Sequence, residues 1–189
     1  MPARGRKLDG ARVLLGVTGS IAAYKAVELA SGLVRRKAKV AAVMTAAACE
    51  LVGPKSFEAV TGMPAHTGMW NGGEYRIGHV NLADWADVVA VAPATANIIS
   101  KAAHGICDDL LSTVLCACWE KPVLFAPAMN ERMWRNPVVR DNAKILAGMG
   151  AVMVGPKTGR LACGAEGTGR MAGSDEIIEA IEKLVKCDS

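Results

Sequence analysis

The stretch "RVLLGVTGSIAAYKAVELASGLVRRK", residues 12 to 37, changes character part-way along. Its first seven residues, "RVLLGVT", are nearly continuous in apolar side chains, as a parallel strand buried on both faces requires. The part from Ser20 to Lys37 reads as a helix, with Ser20 placed as its N-cap. Four further runs repeat the strand half: "KVAAVMT" (39–45), "DVVAVAP" (87–93), "PVLFAP" (122–127) and "AVMVGP" (151–156). Helical stretches lie between them, among them "NPVVRDNAKILAGMG" (136–150), which stops at glycine. The closing "SDEIIEAIEKLVKC" starts at a cap residue, Ser174, with two acids in its first turn. The order is βαβα throughout. It predicts an α/β domain of three layers with a doubly wound parallel sheet, Rossmann-like or flavodoxin-like, whose ligands gather beyond the C-terminal strand ends.

Residues 46 to 86 are long for one crossover. They are expected to hold two short helices and an irregular stretch, "GMPAHTGMWNGGEYRIGH", of the kind that often carries function. With 189 residues, about half of them apolar, the chain suffices for one well-buried domain. That domain is expected over 12–189, behind a basic tail at 1–11.

The formal charge is +4, of which Arg4, Arg6 and Lys7 supply three, leaving about +1 for the rest. Such a balance is no nucleic-acid footprint, and four Trp, two Tyr and two Phe offer few stacking platforms. The cysteines at 49, 107, 116, 118, 163 and 187 form no CxxC pair and no Cys/His spacing, so no structural metal is expected. No leader-like segment opens the chain and no apolar run reaches membrane-spanning length. A reducing cytoplasm with free thiols is the expected setting.

The first βα turn, "GVTGSIAAYK" (16–25), offers backbone N–H groups and the hydroxyls of Thr18 and Ser20, with Gly19 between them, at a helix N-terminus where an anion is favoured. Neither G-x-G-x-x-G nor a P-loop is present. The second strand ends at Thr45 where a ribose site would want an acid, which suits a mononucleotide such as FMN better than NAD. The third strand exits into "APATANIIS", with Ala94, Thr95, Ala96 and Asn97, and the fourth into "APAMNERMW", with Met129 and Asn130. Singly, Asn97 and Asn130 read as ordinary helix caps. Together the exits and the first turn converge on one crevice. His79, in "RIGHVNLADWAD", is a candidate general base of about neutral pKa, with His66 and His104 as competitors between which pattern does not choose. The glycine-rich "GPKTGRLACGAEGTGRM" (155–171) is too loose for a helix and sets Cys163 on a flap, although an unpaired cysteine is ordinarily a small apolar residue.

Taken together, these stretches resemble the flavin-dependent cysteine decarboxylase family, in particular its phosphopantothenoylcysteine-decarboxylating branch. The resemblance runs from about residue 12 to 182. Its motifs stand here as "GVTGSIAAYK", "PATANI", "PAMNERMW" and "LACGAEGTGRM". Ile98 departs from the threonine that closes the second motif. Bacterial relatives commonly continue into a synthetase domain, whereas this sequence ends at Ser189.

The resemblance implies FMN held by Thr18, Gly19, Ser20, Thr45 and Ala94 to Asn97. It implies oxidation of a cysteinyl thiol to a thioaldehyde, loss of carbon dioxide, and reduction of the resulting enethiol. In that scheme His79 is the base or orienting group. Asn130 holds the substrate carboxylate beside Met129 and Ala162, and Cys163 is the acid of the reductive half. Lys157, Arg160 and Arg170 are candidates for the substrate phosphate by location. Trimers with FMN near the subunit interface, or dodecamers built from them, are the implied assembly. Three alternatives are a peptidyl-cysteine decarboxylase, a non-catalytic phosphatase-regulatory homologue and a flavin prenyltransferase. The cysteine flap argues against the first and third, and the intact set of His79, Asn130 and Cys163 against the second.

Overall fold

The computed structural model describes residues 8–70, 78–160, 164 and 166–185. Five strands, β1 (Arg12–Val17), β2 (Lys39–Met44), β3 (Val88–Ala94), β4 (Val123–Pro127) and β5 (Val152–Met153), form one sheet in the order β2-β1-β3-β4-β5, with every pair parallel. The chain leaves β1 for β2 on one side and returns to β3 on the other. A crevice therefore opens at the carboxyl ends of β1 and β3, the topological switch point of an open α/β sheet.

The strands are apolar along their length because helices cover both faces. On one face Val13, Leu15 and Val17 pack with helices α1 (Ala23–Arg35), α3 (Pro54–Thr61) and α9 (Ser174–Leu184). On the other, Leu14, Val89, Val91 and Phe125 pack with α4 (Gly78–Trp85), α5 (Ala96–His104), α6 (Leu110–Ala117) and α8 (Pro137–Gly148). Two shorter helices, α2 (Ala46–Cys49) and α7 (Glu131–Trp134), follow β2 and β4 directly. Packing starts ahead of β1, since Leu8 and Ala11 are buried. At the opposite end of the sheet from the crevice, Arg12 closes on Asp87: Nε and Nη2 donate to Oδ1 at 3.0 and 2.5 Å, and the Arg12 amide donates to Oδ2 at 2.8 Å.

Several local expectations are corrected. Ser20 does not cap α1. The N-cap is Ala22, and Ser20 lies in the turn before it, its carbonyl accepting from the Ala23 amide at 2.8 Å and its hydroxyl from the Ala22 amide at 3.4 Å. Ser174 is the first helical residue of α9 and Gly173 its cap, while Asp175 and Glu176 do occupy the first turn. The described residues of 46–86 hold three helices rather than two. The fifth strand has only two paired residues, because Gly155 turns the chain at φ +87° and Pro156 has no N–H to continue a ladder. Beyond it the glycine-rich segment forms an antiparallel hairpin, β6 (Lys157–Arg160) with β7 (Glu166–Arg170).

Candidate active site

A cavity of about 700 Å³ opens at the carboxyl ends of β1, β3 and β4. Its walls come from four places. The β1–α1 turn and the start of α1 supply Gly19 to Ala22, Tyr24 and Lys25; Thr95 stands at the end of β3; Ala128, Met129, Asn130 and Met133 follow β4; and the hairpin adds Arg160, Gly169, Arg170 and Met171.

Thr18 holds the first two of these places together from beneath. It is 2% exposed; its Oγ1 donates to the Pro93 carbonyl at 2.7 Å and accepts from the Thr95 amide at 3.1 Å. Thr95 in turn caps α5, its hydroxyl accepting from the Ile98 amide at 3.5 Å, so the positive end of that helix faces the cavity. Gly19 is glycine for want of space: a Cβ there would stand 2.5 Å from the Cβ of Ala47 on α2.

The hairpin is docked on the turn after β4. The Met129 amide donates to the Gly169 carbonyl at 3.0 Å, and a Glu131 carboxylate oxygen accepts from the Thr168 amide at 3.4 Å. Gly167 lies against the Glu131 side chain, which a Cβ would meet at 2.6 Å. Asn130 caps α7, its Oδ1 accepting from the Arg132 amide at 2.8 Å, which fixes its side chain at the cavity wall.

Of the residues expected around the cofactor, Gly19, Ser20 and Thr95 line the cavity, as do Met129 and Asn130 among those expected around the substrate. Thr18 and Ala94 are buried beneath it, and Ala96 is buried in the first turn of α5. Thr45 caps α2 through the Ala48 amide at 3.3 Å, with its own amide donating to the Val17 carbonyl. Asn97 is exposed outside the cavity lining, and Ile98 is buried in the core with Ile99. Ala162 and Cys163 lie outside the described residues.

His79 sits in the first turn of α4, partly buried, and is not among the lining residues. Its competitors have places of their own. Burial lowers the pKa of His66, whose amide and carbonyl bond to β2 at Ala42 and Met44, and the His104 ring meets Asn142 Oδ1 at 3.0 Å. Ile21, Tyr24, Lys25 and Met171 are lining residues to which the sequence assigned nothing. Ile21 and Tyr24 are 65% and 63% exposed, and their signal, large apolar groups left uncovered beside a cavity, exists only in three dimensions.

The described lining residues carry three cations, Lys25, Arg160 and Arg170, and no acid. Apolar walls of Ile21, Ala22, Ala128 and three methionines stand beside them. The set suits a ligand with a flat apolar body and an anionic end. Among the described residues no group of three His, Cys, Asp or Glu is placed to hold a metal ion, and no helix is long and apolar enough to cross a membrane.

The Flavoprotein family profile matches residues 2–186. The chain belongs to this family. This flavoprotein is 42% identical over 185 residues to the coenzyme A biosynthesis bifunctional protein CoaBC of Vibrio cholerae, covering 97% of this chain and 45% of that one. It therefore spans under half the length of that relative. Among solved structures, a PPC decarboxylase mutant complexed with pantothenoylaminoethenethiol matches with a TM-score of 0.83 at 32% identity, over 94% of this chain and 99% of the other. The FMN-dependent cysteine decarboxylase SpaF matches with a TM-score of 0.83 at 35% identity, over 95% and 98%. The cavity fits the cofactor that the family name implies, since the isoalloxazine ring is flat with an apolar dimethylbenzene edge, and FMN ends in a phosphate.

Proposed function

We propose that this flavoprotein binds FMN and decarboxylates 4'-phosphopantothenoylcysteine to 4'-phosphopantetheine in coenzyme A biosynthesis. The observation that carries the reading is the placement of Asn130. It stands in an intact Pro-Ala-Met-Asn turn, held by its own cap bond at the wall of a cationic cavity. The likeness to CoaBC and to PPC decarboxylase supports the choice of substrate.

Gly19, Ser20 and Thr95 would hold the cofactor, which when bound supplies the two-electron redox chemistry that a thiol side chain lacks. Asn130 orients the substrate carboxylate through its amide donor, because Oδ1 already accepts from Arg132. Met129 and Met133 exclude water around the reacting carbon. His79 takes or orients the proton of the substrate thiol. Cys163 returns a proton to carbon in the reductive half, a thiol being an acid of useful strength near neutrality.

The absence of His79 from the lining that includes Asn130 supports a homo-oligomer, a trimer or a dodecamer built from trimers, in which a second copy brings its histidine. A phosphopantothenoylcysteine synthetase, on this or another polypeptide, supplies the substrate. We place the reaction in the cytoplasm, where the thiol substrate stays reduced.

The test is incubation with phosphopantothenoylcysteine and, separately, with a cysteine-ended peptide, following carbon dioxide and product mass. Saturated phosphopantetheine from the first is expected. Turnover of the peptide alone would make the protein a peptidyl-cysteine decarboxylase, and turnover of neither a non-catalytic flavoprotein.

A further inference from the structure

Three basic residues of the hairpin and its approach, Lys157, Arg160 and Arg170, differ in what surrounds them. Lys157 is committed: its Nζ lies 2.7 Å from Glu176 Oε1 on α9, and it is not among the cavity-lining residues. Arg160 and Arg170 both line the cavity, and neither has an ion-pair partner among the described residues. The acid best placed to neutralise one of them does not do so. Glu166 stands directly across the hairpin from Arg160 in the β6–β7 register, yet the two form no ion pair. Glu131, the other nearby carboxylate, is turned to Gly167 and the Thr168 amide.

The backbone also makes room for one of these guanidinium groups. At Gly159, φ is +152°, and a Cβ would stand 2.7 Å from Arg170 Nη1, 3.1 Å from its Cδ and 3.6 Å from its Cζ. The Arg170 side chain thus lies along the bare backbone of Gly159, next in sequence to Arg160. A glycine that accommodates an arginine, with a second arginine beside it, sets two planar donor groups at one wall of the cavity. Guanidinium forks in that arrangement match the oxygens of a phosphate dianion.

Another part of the lining has its own anion-binding equipment, the Gly19–Ala22 turn at the α1 N-terminus with Lys25 in the first turns of the helix. The cavity therefore draws its cations from two different elements, the hairpin and the first turns of α1, which suits two anionic ligands. We infer that Arg160 and Arg170 form the subsite for the terminal phosphate of the substrate, at the end remote from the reacting cysteine, and that they discriminate phosphorylated from unphosphorylated pantothenoyl compounds. This inference rests on the decarboxylase reading above. Binding energy gathered at that remote phosphate also steadies the cysteinyl end beside Asn130.

The experiment uses the FMN-loaded protein and two ligands that differ only in the phosphate, 4'-phosphopantetheine and pantetheine, with affinities measured by calorimetry and FMN content by absorbance. The unmodified protein is expected to prefer the phosphorylated ligand. Arg160→Gln and Arg170→Gln should each weaken that ligand about tenfold or more and leave pantetheine unchanged, as loss of a charge-assisted bond predicts. Arg170→Lys should recover part of the preference, and Lys157→Gln should keep all of it. Equal weakening of both ligands, or an unchanged preference, would overturn the subsite. So would loss of FMN from either glutamine variant, which would assign the arginines to the cofactor. Should the unmodified protein decarboxylate phosphopantothenoylcysteine while the variants keep its preference, only the subsite fails. If the unmodified protein neither turns that compound over nor distinguishes the two ligands, the decarboxylase reading fails with it.

Discussion

Gly169 and Met129 approach so closely that a Cβ on the glycine would stand 2.1 Å from the Met129 carbonyl oxygen, while the Met129 amide donates to the Gly169 carbonyl at 3.0 Å. Backbone meets backbone here, so no side-chain rotation can relieve an added methyl. Gly169→Ala must push the hairpin away from the turn that carries Asn130. The expected cost is about 1–3 kcal/mol, in the range of overpacking a tight contact. Urea unfolding should register that loss, and decarboxylation should fall further than stability does, because the displaced strand also carries Arg170. An alanine variant with undiminished turnover would show that the docking is irrelevant to the site.

Thr18 satisfies two buried backbone groups with one hydroxyl, the Pro93 carbonyl and the Thr95 amide. Thr18→Val keeps the shape and removes both bonds, leaving a buried donor and a buried acceptor unpaired. Destabilisation of roughly 1–3 kcal/mol is expected. The Thr95 cap rests on the same contact, so FMN affinity should fall too. Thr18→Ser should restore most of both. Thermal unfolding and FMN titration of the two variants check this, and a valine variant that binds FMN normally would confine Thr18 to the core.

The fold was legible because its rule is simple: strands covered on both faces must be apolar throughout, and the runs at 12–18, 39–45, 87–93 and 122–127 were. Their helical partners followed from the same alternation. What failed was the geometry of ends. Ser20 looked like a cap because serine before an apolar helix usually is one, yet the chain makes an additional turn before α1 starts at Ala23. At the site, the sequence could name Thr18, Thr45 and Asn97 as polar residues at strand exits. It could not say that the first is spent on the backbone, the second on capping α2, and the third left outside the cavity lining. Distinguishing Lys157 from Arg160 and Arg170 was equally out of reach, since it depends on Glu176 and Gly159 meeting them across distances that spacing does not encode.

Asp87 sets a pH dependence at the end of the sheet remote from the cavity. Hydrogen bonds from the Arg12 side chain, aided by its backbone amide, hold the carboxyl below its ordinary pKa against partial burial. A carboxyl depressed on folding stabilises above its unfolded pKa, near 3.8, and that contribution disappears as pH falls through the lower folded value. Asp87→Asn should therefore be less stable than the unmodified protein at pH 7. The gap should close progressively below about pH 4. Denaturant midpoints at neutral and acid pH check the sign. A gap that stayed constant down to pH 2 would mean that the pair contributes only through neutral hydrogen bonds.

Asn130 and His79 are required by one reaction in the proposed scheme, yet only Asn130 belongs to the cavity lining of a single chain. If a second copy brings the histidine, the two residues can be inactivated on different chains without destroying every site. Asn130→Asp is the suitable change at one position, because a carboxylate oxygen can still accept the Arg132 amide and keep α7 capped, while its charge repels the substrate carboxylate. His79→Asn removes the ionisable group at the other and should leave the fold and FMN in place. Each variant alone should lose decarboxylation, whereas His66→Asn and His104→Asn should retain it. Mixed oligomers, made by co-expressing the two inactive chains with different tags and purifying through both, should regain activity. In a mixed trimer purified through both tags, about a third of the shared sites would pair an intact Asn130 with an intact His79 from a neighbour. Mixed oligomers as inactive as their parents would place both groups on the same chain and require α4 to reach its own cavity.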